Sequence, residues 1–262
     1  MIRKIYKELF IILGIFLLGW IGFTLLKPIP EPPEFAISVD KEAELGDMLA
    51  MEILEKNEEL KSDTVLEAIS QIKKQLISSL EATNYDYQFY VVKNESVNAF
   101  ATLGGHIFIF SGLIDMTDEP EELAAVLAHE IGHVEKRHVV NKLVKEIGVT
   151  VLFSILTGSD PVLVGEVAKA AVSSAFDRSQ ESEADQFALK TMVETNISPR
   201  YMARIFRKIK EKYGGYDEHL EFLMSHPNLN KRIKESLEYP LSEDFEEKKI
   251  ETNWEAVKRN LD

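Results

Sequence analysis

The 262-residue chain has no cysteine, which excludes disulfides, thiol chemistry and attachment of a lipid to a cysteine. Its stability therefore does not depend on the redox state of its compartment. Internal repeats are also absent. Basic residues are in the minority, since 30 Lys and Arg stand against 44 Asp and Glu and give a net charge of −14. A chain this acidic is unsuited to nucleic-acid backbones, which bind basic patches.

Charge is missing altogether from one stretch near the amino terminus. Residues 9–26 contain no Asp, Glu, Lys or Arg, and this length predicts a membrane-spanning helix. Arg3, Lys4 and Lys7 precede it, so the positive-inside rule predicts a cytoplasmic amino terminus and an extracytoplasmic remainder, periplasmic or at the cell surface. A cleaved signal peptide is the alternative, but no small-residue cleavage site separates the run from Lys27.

The prolines that follow mark a linker. Pro28, Pro30, Pro32 and Pro33 predict a stiff, extended spacer that holds the rest of the chain off the bilayer. We therefore expect a transmembrane signal anchor at 1–27, a Pro-rich linker at 28–39 and one domain at 40–262. More than 200 residues are enough for a single domain with a substantial core.

Hydrophobic periodicity beyond the linker indicates an α+β domain that is mainly helical, with a small sheet. Two segments, 147–156 and 162–176, are apolar, but Gly158 and Pro161 interrupt them, so together they are not one spanning helix. We interpret them as core or lid helices, with a hairpin that dips into the membrane surface as the alternative. The other predicted elements are helices within 40–82, 201–213 and 252–261, and strands at 87–92, 97–101 and 106–110.

The most informative motif is His129-Glu130-Ile131-Gly132-His133. Two histidines four residues apart share one face of a helix and can bind the same metal ion, while Glu130 can reach a water beside it. The residues from Glu119 onward predict the start of this helix, with Thr117 or Asp118 as its cap and Pro120 in its first turn. A buried stripe is expected at Leu123, Val126, Leu127 and Ile131.

A catalytic zinc takes three protein ligands, and the third is expected on a second helix that faces the first. Glu181 and Asp185 lie four residues apart in a helix-compatible stretch that follows Asp177. Glu181 has the reach of a ligand, and Asp185 can accept a hydrogen bond from a ligand imidazole. Glu183 points to another side and is expected to be solvated. His138, five residues after His133 on a continuous helix, would point away from the same ion.

Several motifs in order resemble one known family. They are HEIGH, then Glu181 to Asp185 preceded by Arg178, then Ser225-His226-Pro227 followed by Arg232. The upstream segments Asn98 to Ala101 and Gly104 to Leu113 complete a match over about half of the chain. Together they resemble the membrane-associated zincin-like metallopeptidases (gluzincins) that include HtpX, BepA, the mitochondrial Oma peptidases and the CAAX prenyl proteases.

The resemblance implies one Zn²⁺ per chain on His129, His133 and Glu181, with Glu130 as general base. It places Asp185 and Arg178 behind the ligands and His226 near the open coordination position. There His226 would either stabilise the transition-state oxyanion or cap the metal in a resting form, and both roles remain open.

The alternating segment at 106–110 predicts a strand with a role in substrate binding. Edge strands pair with extended peptides through backbone hydrogen bonds, and the resemblance places this strand beside the zinc. An interior strand without that role is the alternative, and His106 itself is expected to be structural. The predicted substrate-binding residues are His106, Ile107, Phe108, Ile109 and Phe110.

Two functions remain open on this evidence. The first is a membrane-anchored zinc endopeptidase that hydrolyses unfolded or misassembled envelope proteins, a substrate class that the resemblance alone implies. The second is a zinc-bearing chaperone or binding protein whose hydrolysis is latent. The expected partners are protein or peptide substrates and the lipid bilayer, and nucleic acid is excluded.

Overall fold

A computed structural model of the protein describes residues 14, 17, 37–80, 83–158, 160–173, 175–213, 226 and 229–261. Contacts divide the chain into Met1–Ala36 and Ile37–Asp262, and all elements named below lie in the second unit. Apart from residues 14 and 17, the predicted membrane span lies outside the described residues, as does the linker up to residue 36. None of the described helices has the length and apolar character needed to cross a bilayer.

Two helices open the domain, as predicted, with a break between them. Helix α1 (Val39–Lys56) begins where the Ser38 hydroxyl accepts a hydrogen bond from the Lys41 amide. Helix α2 (Asp63–Ile77) begins after Ser62, whose side chain makes no capping bond. Both helices place apolar residues at helical spacing into the core. The buried ones are Leu45, Leu49, Ile53, Val65, Ile69, Ile72 and Leu76.

A three-stranded sheet packs against these two helices. Its strands are β1 (Gln88–Val92), β2 (Ala99–Ala101) and β3 (His106–Phe110), in the spatial order β1-β3-β2. Strand β3 pairs in parallel with β1 and antiparallel with β2. Strand β3 is therefore the central strand, and all five of its residues are buried. The sheet confirms the expected α+β class.

The HEIGH motif lies on α4 (Pro120–Glu135), which follows the short helix α3 (Ser111–Met116). The expected cap is wrong, because the residue that precedes the helix is Glu119 and its side chain makes no capping bond. Pro120 does occupy the first turn. Every residue from Pro120 to Val134 is buried, so α4 has a buried surface all round rather than the predicted stripe alone.

After α4 the backbone turns at Arg137, which has the left-handed φ of 56° and starts a new helix. Because of this turn, His138 is the first residue of α5 rather than a continuation of α4. The apolar segments form α6 and α7, which pack on α1 and leave Phe153 and Val162 exposed. The bounds are α5 (His138–Ile147), α6 (Val149–Gly158) and α7 (Pro161–Val172).

The remaining helices complete the core around α4. They are α8 (Arg178–Glu194), α9 (Arg200–Tyr213), α10 (Leu229–Glu238) and α11 (Trp254–Lys258). The helix predicted at 252–261 is therefore shorter than expected. Trp254 is buried and donates its indole N–H to the Thr117 carbonyl at 3.3 Å, which docks α11 beside the start of α4.

Helices α4 and α8 pack closely where Gly132 faces Ala184. A Cβ added at Gly132 would lie 3.0 Å from the Ala184 carbonyl oxygen and 3.1 Å from its Cα. These neighbours are backbone atoms, so they cannot move without moving the helix. The glycine between the two motif histidines thus allows α8 to approach the ligand face of α4.

We expect Gly132→Ala to destabilise the full chain by about 1–2 kcal/mol. Alanine improves helix propensity by up to about 1 kcal/mol, but overpacking against α8 costs about 1–3 kcal/mol. Gly158→Ala is the matched control, because its Cβ would meet nothing within 4 Å. The measurement is urea unfolding with a chelator present. Equal or higher stability of Gly132→Ala than of Gly158→Ala would contradict the close contact.

Candidate metal centre

The two motif histidines point into a buried space. The His129 and His133 Nε2 atoms lie 3.0 Å apart. The His129 side chain is 1% exposed and the His133 side chain is fully buried. One turn of helix separates the two residues, so both rings extend from the same face of α4. The structure brings these two predicted ligands together.

Helix α8 supplies the third predicted ligand. Its start is held by a capping box, in which the Asp177 carboxylate accepts from the Gln180 backbone amide and the Gln180 side-chain oxygen accepts from the Asp177 backbone amide. The next residue, Glu181, is buried and lies 3.3 Å from His133 Nε2 and 3.7 Å from His129 Nε2 through its two oxygens.

His226 joins this group. Its Nδ1 lies 2.8 Å from a Glu181 oxygen and 3.2 Å from His129 Nε2, and its ring is 1% exposed. The neighbouring Ser225 and Pro227 of the motif lie outside the described residues. Nitrogen and carboxylate atoms from His129, His133, Glu181 and His226 all lie within 4.8 Å of one another.

This donor set fits a divalent metal ion. Two imidazole nitrogens that face each other at 3.0 Å, beside a buried carboxylate, present lone pairs that a cation satisfies together. One Glu181 oxygen accepts no hydrogen bond from the described residues although it is buried. Burial lowers the pKa of His129 to about 4 and that of His133 well below its usual value. Both imidazoles are therefore neutral, as metal ligands must be.

Glu181 carries charge into this buried space. Burial alone would raise its pKa, but the nearby His226, His133 and His129 reverse this and hold the pKa of the carboxyl far below its usual value. For His226, burial alone would lower the pKa, but the Glu181 carboxylate outweighs it, so the pKa of this imidazole is raised. An ionised carboxylate is the form that binds metal.

Two side chains behind His129 orient it. Asp185 lies 3.0 Å from His129 Nδ1, as predicted, and is placed to accept an Nδ1–H, the tautomer that leaves a lone pair on Nε2. Arg232 Nη2 lies 3.0 Å from the same Nδ1 and 3.3 Å from Nε2. Arg232, which is 3% exposed, donates to both oxygens of Asp185 at 2.7–3.1 Å and lies 3.3 Å from Glu181. Arg178 is exposed at the start of α8, and the structure records no hydrogen bond or ion pair for it with the described site residues. Arg178 lines the same cavity as Glu181 and Asp185, while the hydrogen bonds to Asp185 come from Arg232.

His133 has neighbours that the sequence did not reveal. Its Nδ1 lies 3.0 Å from Nδ1 of His138, whose Nε2 lies 3.4 Å from Glu183. Phe176 stacks on the His133 ring with centroids 3.9 Å apart. Glu183 is half exposed, as expected, but it is not merely solvated. Helical spacing could not predict the contact between His133 and His138, because the turn at Arg137 interrupts the helix and creates it.

Glu130 lies beside the ligand group and is held by backbone. Its Oε2 accepts from the Ala101 amide at 2.9 Å, and its Oε1 accepts no hydrogen bond within the described part of the chain. The nearest basic group to Oε1 is His226 Nε2 at 3.6 Å. Burial raises the pKa of Glu130 to about 7. A carboxyl group of this kind is suited to proton exchange near neutral pH.

Comparison with known proteins agrees with this geometry. The sequence profile described as Peptidase family M48 matches residues 65–239. The chain belongs to this family. The resemblance drawn from the ordered motifs is thereby confirmed, and the histidine and glutamate cluster lies inside the matched region.

Three curated relatives, each from a different organism, are similar to this chain. The beta-barrel assembly-enhancing protease of Yersinia pestis is 28% identical over 213 residues, which cover 76% of this chain and 44% of the relative. The mitochondrial metalloendopeptidase OMA1 of Schizosaccharomyces pombe is 27% identical, with 65% and 52% covered. The metalloprotease YcaL of Escherichia coli K12 is 26% identical, with 66% and 69% covered. The chain spans about half the length of the first two relatives.

One predicted feature of the M48 site is wrong. Strand β3 is not an edge strand, because β1 and β2 occupy its two sides. Its backbone groups at residues 106–110 are already paired with β1 on one side and β2 on the other, so they cannot pair with a peptide. His106 is structural, as expected, with its ring nitrogens 3.1 Å from the Tyr90 hydroxyl and 3.2 Å from Asp47. Both faces of this strand are buried, and its own sequence does not indicate which strands pair with it.

The edge nearest the site belongs to β2. The Asn98 carbonyl accepts from the Phe110 amide, and the Thr102 amide donates to the His106 carbonyl. Because alternate residues of a strand bond to opposite sides, Ala99 and Ala101 turn their backbone groups away from β3. The Ala101 amide reaches Glu130, which shows that this edge faces the centre of the site.

We expect Arg232→Met to destabilise the M48 chain by about 3–5 kcal/mol, because it leaves Asp185 and Glu181 buried without their cation. The neighbouring exposed pair Lys231–Glu235, 3.4 Å apart, offers the control Lys231→Met, for which about 0.5 kcal/mol or less is expected. Urea unfolding with a chelator present compares the two. Equal midpoints would show that Arg232 does not compensate the buried carboxylates.

Proposed function

We propose that this chain is a zinc-dependent endopeptidase. One observation carries the proposal: Glu130 presents a carboxylate beside a buried group in which His129, His133 and Glu181 converge. The membership of the chain in family M48 and the names of its relatives as metalloproteases support the same reaction class. Three protein ligands with a carboxylate at their side are typical of hydrolytic zinc sites.

His129, His133 and Glu181 would hold the zinc. Zinc bound there supplies Lewis acidity toward a water molecule and a peptide carbonyl. Glu130 accepts the proton of the attacking water at Oε1, the oxygen that accepts no hydrogen bond from the described residues, and delivers it to the nitrogen of the leaving amine. Its other oxygen stays bound to the Ala101 amide, which fixes the direction of the carboxylate.

The edge of β2 is suited to hold the substrate as an added strand. The outward N–H and C=O of Ala99 and the C=O of Ala101 would bond to an extended peptide, while the Ala101 N–H stays on Glu130, and such pairing is largely independent of side chains. In a complex of the Glu130→Gln variant with an unfolded protein, the Ala99 amide should gain protection from hydrogen exchange. Unchanged exchange at Ala99 would exclude this mode of binding.

The cellular role and location extend the proposal further. The Yersinia pestis relative is named for assembly of β-barrels, and residues 9–26 predict an anchor with the catalytic domain outside the cytoplasm. We place the chain at a membrane, as a single-pass protein that acts on unfolded or misassembled envelope proteins. The acidic remainder of the chain avoids flat contact with anionic lipid.

Glu130→Gln should lower hydrolysis of casein by about 100-fold or more, because loss of a general base typically costs 10²–10⁴-fold in rate. Zinc content and thermal stability should stay close to those of the unchanged chain, since the amide preserves size and shape. The measurement is the rate of fluorescent peptide release by the purified full chain. A chelator should abolish this release and added zinc should restore it.

The control for that experiment is Glu55→Gln, at an exposed position of α1. It removes one carboxylate from the chain but none from the site, so its rate should equal that of the unchanged chain. Hydrolysis that persists in Glu130→Gln would contradict the assignment of Glu130.

A second function is favoured by His226, which lies inside the ligand group rather than at its border. With Nδ1 2.8 Å from Glu181 and 3.2 Å from His129 Nε2, it is suited to act as a fourth ligand that caps the metal. Ala99 and Ala101 of the substrate edge are also buried. These features support a second proposal, a resting form in which the chain would bind clients while hydrolysis is latent.

His226→Ala separates the two roles left open for this residue. If His226 caps the metal, its removal should raise casein hydrolysis several-fold and weaken zinc binding, because a ligand is lost and a coordination position opens. If it stabilises the oxyanion, the rate should fall by about 10²–10³-fold. Rate and zinc affinity are measured on the same preparation, and a lower rate with unchanged affinity would exclude the cap.

A further inference from the structure

The His133 ring makes a contact outside the predicted set. Its Nδ1 lies 3.0 Å from Nδ1 of His138, and both rings are buried. A hydrogen bond between two imidazole nitrogens requires one N–H donor and one lone pair. The two tautomers are therefore linked, and the surroundings of each ring decide which nitrogen carries the proton.

The ligand group decides for His133. Its Nε2 lies 3.0 Å from His129 Nε2 and 3.3 Å from Glu181, so this nitrogen must offer a lone pair to a metal. The proton is then on Nδ1, which donates to Nδ1 of His138. The other nitrogen of His138 carries its own proton and faces the Glu183 carboxylate at 3.4 Å.

We propose that His138 and Glu183 form a relay that orients His133 for metal binding, with His138 as the acceptor and Glu183 as the group that fixes the His138 tautomer. This inference rests on the proposed zinc site. His138 is a positioning residue, because it acts only through His133. Partners of this kind behind a ligand typically contribute 10- to 100-fold to metal affinity.

The relay differs from the arrangement behind His129. There a carboxylate, Asp185, accepts the imidazole N–H directly and is itself held by Arg232. Behind His133 the acceptor is a neutral ring, and the carboxylate is one step further away and half exposed. Water can therefore replace Glu183 but not the buried His138. The two residues should thus contribute unequally.

The local backbone explains why His138 can reach His133. Arg137 adopts the left-handed conformation, and its guanidinium bonds to Glu42 and to the Ile37 carbonyl. The chain reverses there, so the first residue of α5 returns toward the last turn of α4. Phe176 covers both rings, with centroids 3.9 Å from His133 and 6.1 Å from His138.

The test measures zinc affinity of the purified full chain by competition with a chromogenic chelator. His138→Phe fills the space of the ring but cannot accept a hydrogen bond, and it should weaken zinc binding about 10- to 100-fold. His138→Asn is smaller but retains an acceptor oxygen near the position of Nδ1, so it should recover most of the affinity. If His138 only packed, Phe would be the better replacement, and that order would overturn the proposal.

Glu183 is tested by a double-mutant cycle. Glu183→Gln alone should weaken zinc binding by about two- to fivefold, and should have no further effect in the His138→Phe background, since the relay is already broken. Additive losses would overturn the link between the two residues. Glu194→Gln, an exposed change on the same helix, should leave the affinity unchanged.

Two further variants separate this inference from the zinc site itself. His133→Ala should lose zinc binding, and retained binding would contradict the site and the relay together. Loss in His133→Ala with unchanged affinity in His138→Phe would overturn the relay alone. His106→Phe removes another buried imidazole, bonded to Tyr90, and should bind zinc normally. With cobalt as a probe, the visible spectrum should shift in His138→Phe and not in His106→Phe.

Discussion

The approach of α8 to α4 is the constraint on which the site depends. The two helices that carry the candidate ligands must come close enough for Glu181 to meet His129 and His133, and Gly132 permits this because it has no side chain where α8 crosses. Burial then removes water from the ligand atoms, so their lone pairs and charge are left for a cation. The same burial makes each supporting contact costly to lose.

The most reliable predictions from the sequence were those that follow from spacing along one helix. His129 and His133 share a face because they are four residues apart, and Glu181 and Asp185 do so for the same reason. Family resemblance supplied the pairing of these two helices, which no local pattern contains. By contrast, the stripe expected on α4 was too narrow, because burial all round a helix depends on elements that are distant in the sequence.

The misses share a physical cause, which is dependence on contacts that no local pattern contains. His138 was placed on a continuous helix, but the chain leaves the α-helical region at Arg137 and returns the ring to His133. Arg178 and Arg232 are both basic, yet within the described part of the chain it is Arg232 that bonds to Asp185, because α10 packs on α9 and carries Arg232 to that carboxylate. Strand β3 alternates like an edge strand, but sheet order depends on pairing that its own residues do not encode.

The turn at Arg137 connects these features to the start of the described domain. A left-handed conformation costs roughly 1–2 kcal/mol for such a residue, so it persists because its surroundings hold it. Those surroundings are Glu42, buried on α1, and the Ile37 carbonyl just before that helix. Residues at the start of this unit, Ile37 and Glu42, therefore fix the point at which α4 ends and α5 begins. The position of the His138 ring beside His133 thus depends on contacts that reach back to the start of α1.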